Sequence, residues 1–421
     1  MMGFILLFGF IALMTIGLPI GFSLLLASFA GIIYGNYPIT LFAQRMFTAL
    51  DSFPLMAIPL FMLAGSLMSH GGIAKRILSF ILGFVGHFQG SLGHVVAISS
   101  VILGGVSGSG VANTAVLSTT MFPEMKRRGY EEGFSAALIA SSGSISLIIP
   151  PSIAMVLYGV SAQVSIGNLF MAGIVPGVMI GVLFLVYSFY IAKKKGYPIE
   201  GFVDKKERWK RFRDASWCLI IPIIVIFGIR GGIFTPTEGG AVMSAYAFFI
   251  GMFVYREIKL KDIPAVCLEA ALNTAVVSTI IAATSLFSWL LTSAQIPQAI
   301  AASILSVTDN RILLLLLINL ILLFVGMFID SGPAIILLVP ILAPVAVSID
   351  MNLIQFGLIM IVNLTMSLLT PPVGTAVFVA SNISGVPVGT LFKSLIPFWG
   401  IMLFVLMLVT YIPILTMWVV R

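Results

Sequence analysis

Apolar positions along this chain come in blocks of roughly 18 or more, the length that crosses a bilayer as a helix. Polar residues gather between the blocks. The apolar residues do not alternate in short segments, as a membrane β-barrel would require. The pattern predicts an all-α polytopic membrane protein. A long first span covers residues 3–34, kinked at Pro19, and a second covers 51–68. Residues 72–88 are mixed and include Lys75 and Arg76, which predicts an amphipathic helix along the membrane surface. Residues 87–123 are apolar at both ends but break at GGVSGSGVANT (104–114), and Lys126, Arg127 and Arg128 follow. A re-entrant hairpin of two half-helices satisfies this. The span 130–165 is interrupted at SLIIPPS (146–152), because Pro150 and Pro151 donate no backbone hydrogen bond. Residues 168–192 form an ordinary span.

The second half repeats this order. Spans at 217–229, 237–255 and 264–291 lead to a mixed segment at 295–306. A hairpin at 311–347 breaks at GMFIDSGP (326–333), and a span at 353–384 breaks at SLLTPPVGT (367–375). Residues 389–420 close the chain. One shift of 221 positions pairs Pro150 with Pro371, Pro151 with Pro372, Gly105 with Gly326, Pro123 with Pro344 and Pro176 with Pro397. Recurrence of Gly and Pro in membrane helices does not by itself give a constant offset. The connector span makes the halves enter from opposite sides. An inverted repeat with matched broken helices points to a secondary transporter with its site at mid-membrane.

Composition agrees with a membrane protein. Of the 421 residues 60% are hydrophobic and 9% charged, and the mean hydropathy is +1.15. That excludes a soluble enzyme, a nucleic-acid-binding protein and a disordered scaffold. The net charge of +7 sits mostly in short loops. Lys193, Lys194, Lys195 and the run 205–213 form the densest basic loop, which belongs in the cytoplasm. Counting from it puts the N-terminus in the cytoplasm and the C-terminus in the periplasm. No Lys or Arg precedes the first apolar run, so it reads as a retained helix and not as a signal peptide. Cys218 and Cys267 read as buried free thiols, and the scattered His70, His87 and His94 as no metal site. No Walker A, HExxH or GxSxG motif stands in a suitable context, so neither ATP use nor enzyme activity is expected.

The four breaks carry the candidate chemistry. Irregular backbone survives at mid-membrane only where it is buried or lines a cavity. The C-terminal end of a half-helix favours a cation and the N-terminal end an anion. Two junctions therefore predict two similar cation sites flanking one anionic substrate. At the first, the residues are Ser107, Gly108, Ser109 and Asn113 on the tip, with Ile149 and Pro150 at the opening. At the second they are Asp330, Ser331 and Gly332, with Thr370, Pro371 and Thr375. One sodium ion is expected at Ser107, Asn113 and Ile149, the other at Asp330, Ser331 and Thr370. Sodium, about two ions, is the expected cofactor, with no organic one. The alternative for Asp330, Ser107 and Asn113 is helix capping. Asp51, Glu238 and Arg230 read as interfacial anchors, and Glu269 as a structural ion pair or subunit contact.

These motifs resemble a known family. GGVSGSGVANT, PEMKRRGY (123–130), IIPPSIAMVLYG (148–159) and LLTPPVGT (368–375) resemble the large membrane subunit of TRAP (tripartite ATP-independent periplasmic) transporters, the DctM family. The resemblance covers nearly the whole chain. Ser146 and Ser367 depart from it, standing where glycine is expected before the proline pair. It implies an elevator-type fold in the bacterial inner membrane. It also implies sodium-coupled import of a small organic acid, of the sialic acid or C4-dicarboxylate class, from periplasm to cytoplasm. The implied partners are a small four-helix membrane subunit and a periplasmic substrate-binding protein, besides membrane lipid. The expected division is scaffold 1–88, transport domain 89–165, scaffold 166–310 with its cytoplasmic loop at 193–215, transport domain 311–385 and a last scaffold span 386–421. The alternatives are a proton- or sodium-coupled carrier of similar fold that needs no binding protein, and a channel or non-transporting scaffold subunit.

Overall fold

A computed structural model describes residues 2–201, 203–307 and 310–418. Among the described residues there is no β-strand, and seven helices are long and apolar enough to cross a membrane. The first repeat begins with α1 (Met2–Thr15), α2 (Ile20–Tyr34), α3 (Thr40–Leu50), α4 (Ala57–His70) and α5 (Ile73–Val85). The first hairpin is α6 (Ser91–Ser107) and α7 (Gly110–Arg127); the first broken helix is α8 (Glu132–Ser144) and α9 (Ile153–Ser161), and α10 (Ile166–Lys195) follows. The second repeat has α11 (Lys205–Arg230), α12 (Pro236–Phe249), α13 (Ile263–Ser293) and α14 (Ile296–Val307). The second hairpin is α15 (Arg311–Gly326) and α16 (Ser331–Ser348), and the second broken helix is α17 (Leu353–Ser367) and α18 (Thr375–Ser384). The long α19 (Val388–Tyr411) and the single turn α20 (Ile414–Met417) end it.

All four expected breaks are present, and the 221-residue shift holds for whole helices. Adding it to the bounds of α7 gives those of α16. Both proline pairs, Pro150–Pro151 and Pro371–Pro372, have cis peptide bonds. The repeats interlock. α7 packs on α18 of the other repeat, and its counterpart α16 packs on α9.

Packing sorts the helices into two groups. α1 to α4 lie with α12 and α13, while α6 to α10 lie with α15 to α20. α5 bridges α6 to α11, and α14 bridges α16 to α13. α10 packs on α6 and α9, and α19 on α8 and α17. These two spans therefore pack with the hairpins and broken helices.

Three further expectations change. The stretch 3–34 is not one kinked span. α1 and α2 fold back on each other, with a Cβ at Gly31 falling against Leu6 and one at Gly35 against Met2. Pro19 lacks the N–H to continue α1 and starts α2 instead. The basic run 205–213 is helical, forming the first turns of α11. Asp204 accepts from the Lys205 N–H at 2.7 Å, and Arg211 Nε donates to Glu207 at 3.1 Å one turn back. Cys218 is buried but Cys267 is exposed, because α13 leaves that face uncovered.

The PEMKRRGY motif forms the last turn of α7 and the link from the first hairpin to α8. Arg128 pairs with Glu200 at 2.7 Å, Lys126 with Glu132 at 2.9 Å, and Tyr130 stacks on Tyr197 at 4.2 Å. These contacts tie the α7–α8 turn to the segment after α10.

Candidate functional site

The first junction follows from small residues. α6 ends at Ser107, Gly108 turns the chain with φ +61°, and Ser109 starts α7 by accepting from the Ala112 N–H at 3.4 Å. A Cβ on Gly108 would fall 2.9 Å from the Pro151 carbonyl oxygen, so the tip rests on the opened helix. Asn113 is buried, and its Nδ2 donates to Ser146 Oγ at 2.6 Å. It joins the hairpin to the broken helix and is not a cap. Ser152 caps α9, its Oγ accepting from the Met155 N–H at 3.4 Å. Ile149 packs beside Gly104 and Gly105 in the same junction.

At the second junction Asp330 is the N-cap residue of α16 but makes no side-chain cap bond. Its Oδ1 accepts from Thr375 Oγ1 at 3.3 Å, across from the start of α18. The capping alternative for Asp330 is therefore not what the structure shows. Ser331 is buried at the tip. Thr370, just past the end of α17, donates its Oγ1 back to the Met366 carbonyl at 3.0 Å. The Val373 N–H donates to the Met327 carbonyl at 3.1 Å and holds tip and opening together. Pro150 and Pro371 occupy matched places in the two openings.

The junctions share a cavity. Two adjoining volumes of about 640 and 690 Å³ both have Met62, Ser109, Ile153, Val276 and Asp330 in their walls. Gly108, Ser331 and Gly332 line the first, Ser107 and Thr375 the second. The opposite walls are α4 and α13, from the other packing group. Sequence reasoning missed these walls. Glu269 and Asn273 on α13, with Ser66 and Ser69 on α4, line the second volume. Glu269 lies 3.8 Å from His70 Nδ1, a contact that is an ion pair only when the imidazole is protonated, and it also reaches the cavity. Its signal was present, since Glu269 is the one acidic residue of α13. Ser146 was noted only as a departure; its hydroxyl is the partner of Asn113.

No Lys or Arg is among the described residues lining either volume, and the charged ones are Asp330 and Glu269. The N-terminal residues of α7, α9, α16 and α18 all take part in the lining. The cavity wall thus carries four partly positive helix ends. Residues 7–415 match the tripartite ATP-independent periplasmic transporter family, DctM component. The chain belongs to this family. It is 39% identical to the sialic acid TRAP transporter large permease protein SiaM of Vibrio cholerae, over 97% of this chain and 96% of that protein. It is 37% identical to the C4-dicarboxylate TRAP transporter large permease protein DctM of Rhodobacter capsulatus, over 98% and 97%. It is also 40% identical to the isethionate TRAP transporter permease protein DctMQ of Oleidesulfovibrio alaskensis, over 98% of this chain and 65% of that longer protein. The fold is similar to the crystal structure of the YdaH transporter of Alcanivorax borkumensis, with TM-score 0.66, 14% identity and coverage of 90% and 88%. As a DctM component, the chain is a multi-pass permease subunit of a tripartite transporter. Three of its four motifs, 104–114, 148–159 and 368–375, build the two junctions, and PEMKRRGY links α7 to α8.

Proposed function

We propose that this DctM component imports a small organic acid, of the sialic acid or C4-dicarboxylate class, by sodium-coupled elevator movement. The carrying observation is the shared cavity. Both hairpin tips and both broken helices meet there, at the boundary between two packing groups. A unit that slides along that boundary takes its site with it. The α6–α10 and α15–α19 group is the moving unit in this reading, and α1–α4 with α11–α13 the fixed one. Helix ends with Asp330 nearby suit an anion held together with cations. Alone, an anion beside two carboxylates is repelled. At 100 mV each net positive charge moved inward gains about 2.3 kcal/mol, so two sodium ions with one monoanion use the voltage as well as the gradient.

The partners in this reading are a small membrane subunit and a periplasmic binding protein that delivers substrate. With the basic segments in the cytoplasm, the N-terminus lies on the outer face. Gly3 sits against Ile296 and Met2 against Gly35, beside the far end of α13. This reading puts the N-terminus on the other side from the one expected when 3–34 counted as one crossing. The C-terminal end of α19 lies on the same face, where Tyr411 Oη donates to the Ile312 carbonyl at 2.9 Å.

The test is uptake into proteoliposomes holding this chain and the small subunit, with the binding protein outside. Uptake is expected only with an inward sodium gradient and only with all three components. Equal uptake in potassium overturns sodium coupling, and a pH gradient acting alone favours the proton-coupled alternative. Full uptake by the chain alone overturns the tripartite requirement.

A further inference from the structure

The N-terminal hairpin is too short to cross the bilayer. α1 has 14 residues and α2 has 15. At roughly 1.5 Å per residue each reaches about 22 Å, against about 30 Å of hydrocarbon. Beyond the bend, Gly21 lies against Thr279 and Ile280, half-way along α13. From there toward its start, α13 shows an uncovered apolar row. Leu268, Leu272 and Val276 are 60%, 59% and 61% exposed. Their spacing of four puts them on one face.

That row runs into the cavity. Leu272 and Val276 line the 640 Å³ volume together with Pro19, Phe22 and Leu157, next to Asp330. The neighbouring face of α13 carries Glu269 and Asn273 and lines the other volume. One helix thus separates an apolar branch from a polar one. Away from Ser109, Asp330 and Ser331, the part of that volume walled by Pro19, Phe22, Leu157, Leu272 and Val276 offers water no hydrogen bonds, and apolar voids stay dry.

We propose that the apolar branch is a lipid site. An acyl chain of a phospholipid, from the leaflet on the side of the basic segments, lies along Leu268, Leu272 and Val276 beneath the short hairpin. Its end stops at Val276, short of the tip at Asp330. Three observations name this occupant. The row lies at a depth where the surrounding medium is hydrocarbon. From Leu268 to Val276 it spans about 12 Å, within the roughly 15 Å of one leaflet. It also leads back to Lys259 and Lys261, both exposed and flanking the exposed Leu260, which suits a phosphate head group above an acyl chain. The site lies outside the two hairpin junctions and needs no assumption about the coupling ion.

The test uses the complex with its small subunit in phospholipid vesicles. In a Cys218→Ser, Cys267→Ser background, Leu272→Cys carries a nitroxide label, with Leu268→Cys as a second position. Ala115→Cys reports the polar branch. Collision with oxygen, which partitions into hydrocarbon, is compared with collision by a water-soluble nickel chelate. At positions 272 and 268 oxygen is expected to exceed nickel several-fold, with the opposite ratio at 115. Nickel dominating at 272 and 268 would show water there, and low access to both reagents would show protein cover. Either result overturns the lipid site. Failure at 115 alone would instead count against the aqueous cavity used in the transport reading.

Discussion

The two junctions have one backbone plan and different side chains. At the cap position of the second half-helix, Ser109 turns its hydroxyl back onto α7, whereas Asp330 leaves α16 uncapped and meets Thr375. Under the 221-residue shift Asn113 corresponds to Ala334, Ser107 to Phe328, and Ile149 to Thr370. The openings differ as well. Every residue from 141 to 152 is buried, while Pro372 and Val373 are exposed. Glycines on α10 explain this. A Cβ on Gly173 would lie 2.6 Å from the Ile148 carbonyl oxygen, and one on Gly177 would lie 2.3 Å from Ile149 Cδ1. The counterparts on α19 are Ser394 and Phe398, which do not permit so close an approach. The first junction is a packed, internally bonded joint. The second carries charge and faces the cavity more openly. The two junctions are therefore alike in backbone and unlike in side chains, and the proposed ion coupling should be more sensitive to the second.

The largest expected effect follows from the cap position. Asp330→Asn keeps the shape and removes the charge. A charged partner in such contacts is worth about 1.5–3 kcal/mol, so the sodium concentration for half-maximal uptake should rise about 10- to 150-fold. Ser109→Ala should leave that concentration nearly unchanged and cost about 0.5–2 kcal/mol of stability through the lost cap. Initial uptake rates against sodium, with thermal unfolding of the purified complex, read both. Equal sodium shifts in the two variants would erase the distinction between the junctions.

A smaller effect tests the internal bond. Asn113→Ala removes the donor to Ser146, with both partners buried. We expect about 1 kcal/mol of lost stability. In a double-mutant cycle with Ser146→Ala the two losses should not add, because they remove one contact. Strict additivity would mean that the 2.6 Å bond does not hold this joint. Asn113 still has an oxygen for an ion, so some weakening of sodium activation is expected, below that of Asp330→Asn.

Much of this was legible in the sequence, for physical reasons that also mark the limit. Gly108 and the proline pairs at 150–151 and 371–372 interrupt their helices, whereas single prolines such as Pro123 and Pro176 stay inside theirs, so the breaks and the repeat could be read from spacing. Asp330 stood out as a carboxylate in an apolar run. The fold-back at Pro19 was not legible, because a kink and a reversal begin with the same residue. They are separated only by the packing of Leu6 on Gly31. The walls on α4 and α13 were equally hidden. Ser66, Ser69 and Asn273 look like ordinary helix residues until the hairpin tips are placed opposite them. The packing of α10 and α19 with the hairpins depends on contacts far apart in sequence, which no local pattern records.

The smallest effect concerns the one hydroxyl that meets Asp330. Thr375 has Ala154 as its counterpart, so the first junction works without a hydroxyl at this place. Its bond to Asp330 is long, at 3.3 Å, and both residues are only partly buried. A long bond at a wet site is weaker than a close buried one, so Thr375→Val should cost about 0.5–1 kcal/mol, a two- to fivefold rise, roughly, in half-activating sodium. Thr375→Ser keeps the hydroxyl and should restore the wild-type curve. The pair of variants separates two roles for Asp330. If charge dominates, Thr375→Val remains well below Asp330→Asn. If orientation by Thr375 dominates, the two substitutions shift the curve equally. The second junction would then depend on a hydrogen bond, as the first does, and the contrast between them would narrow to the openness of their walls.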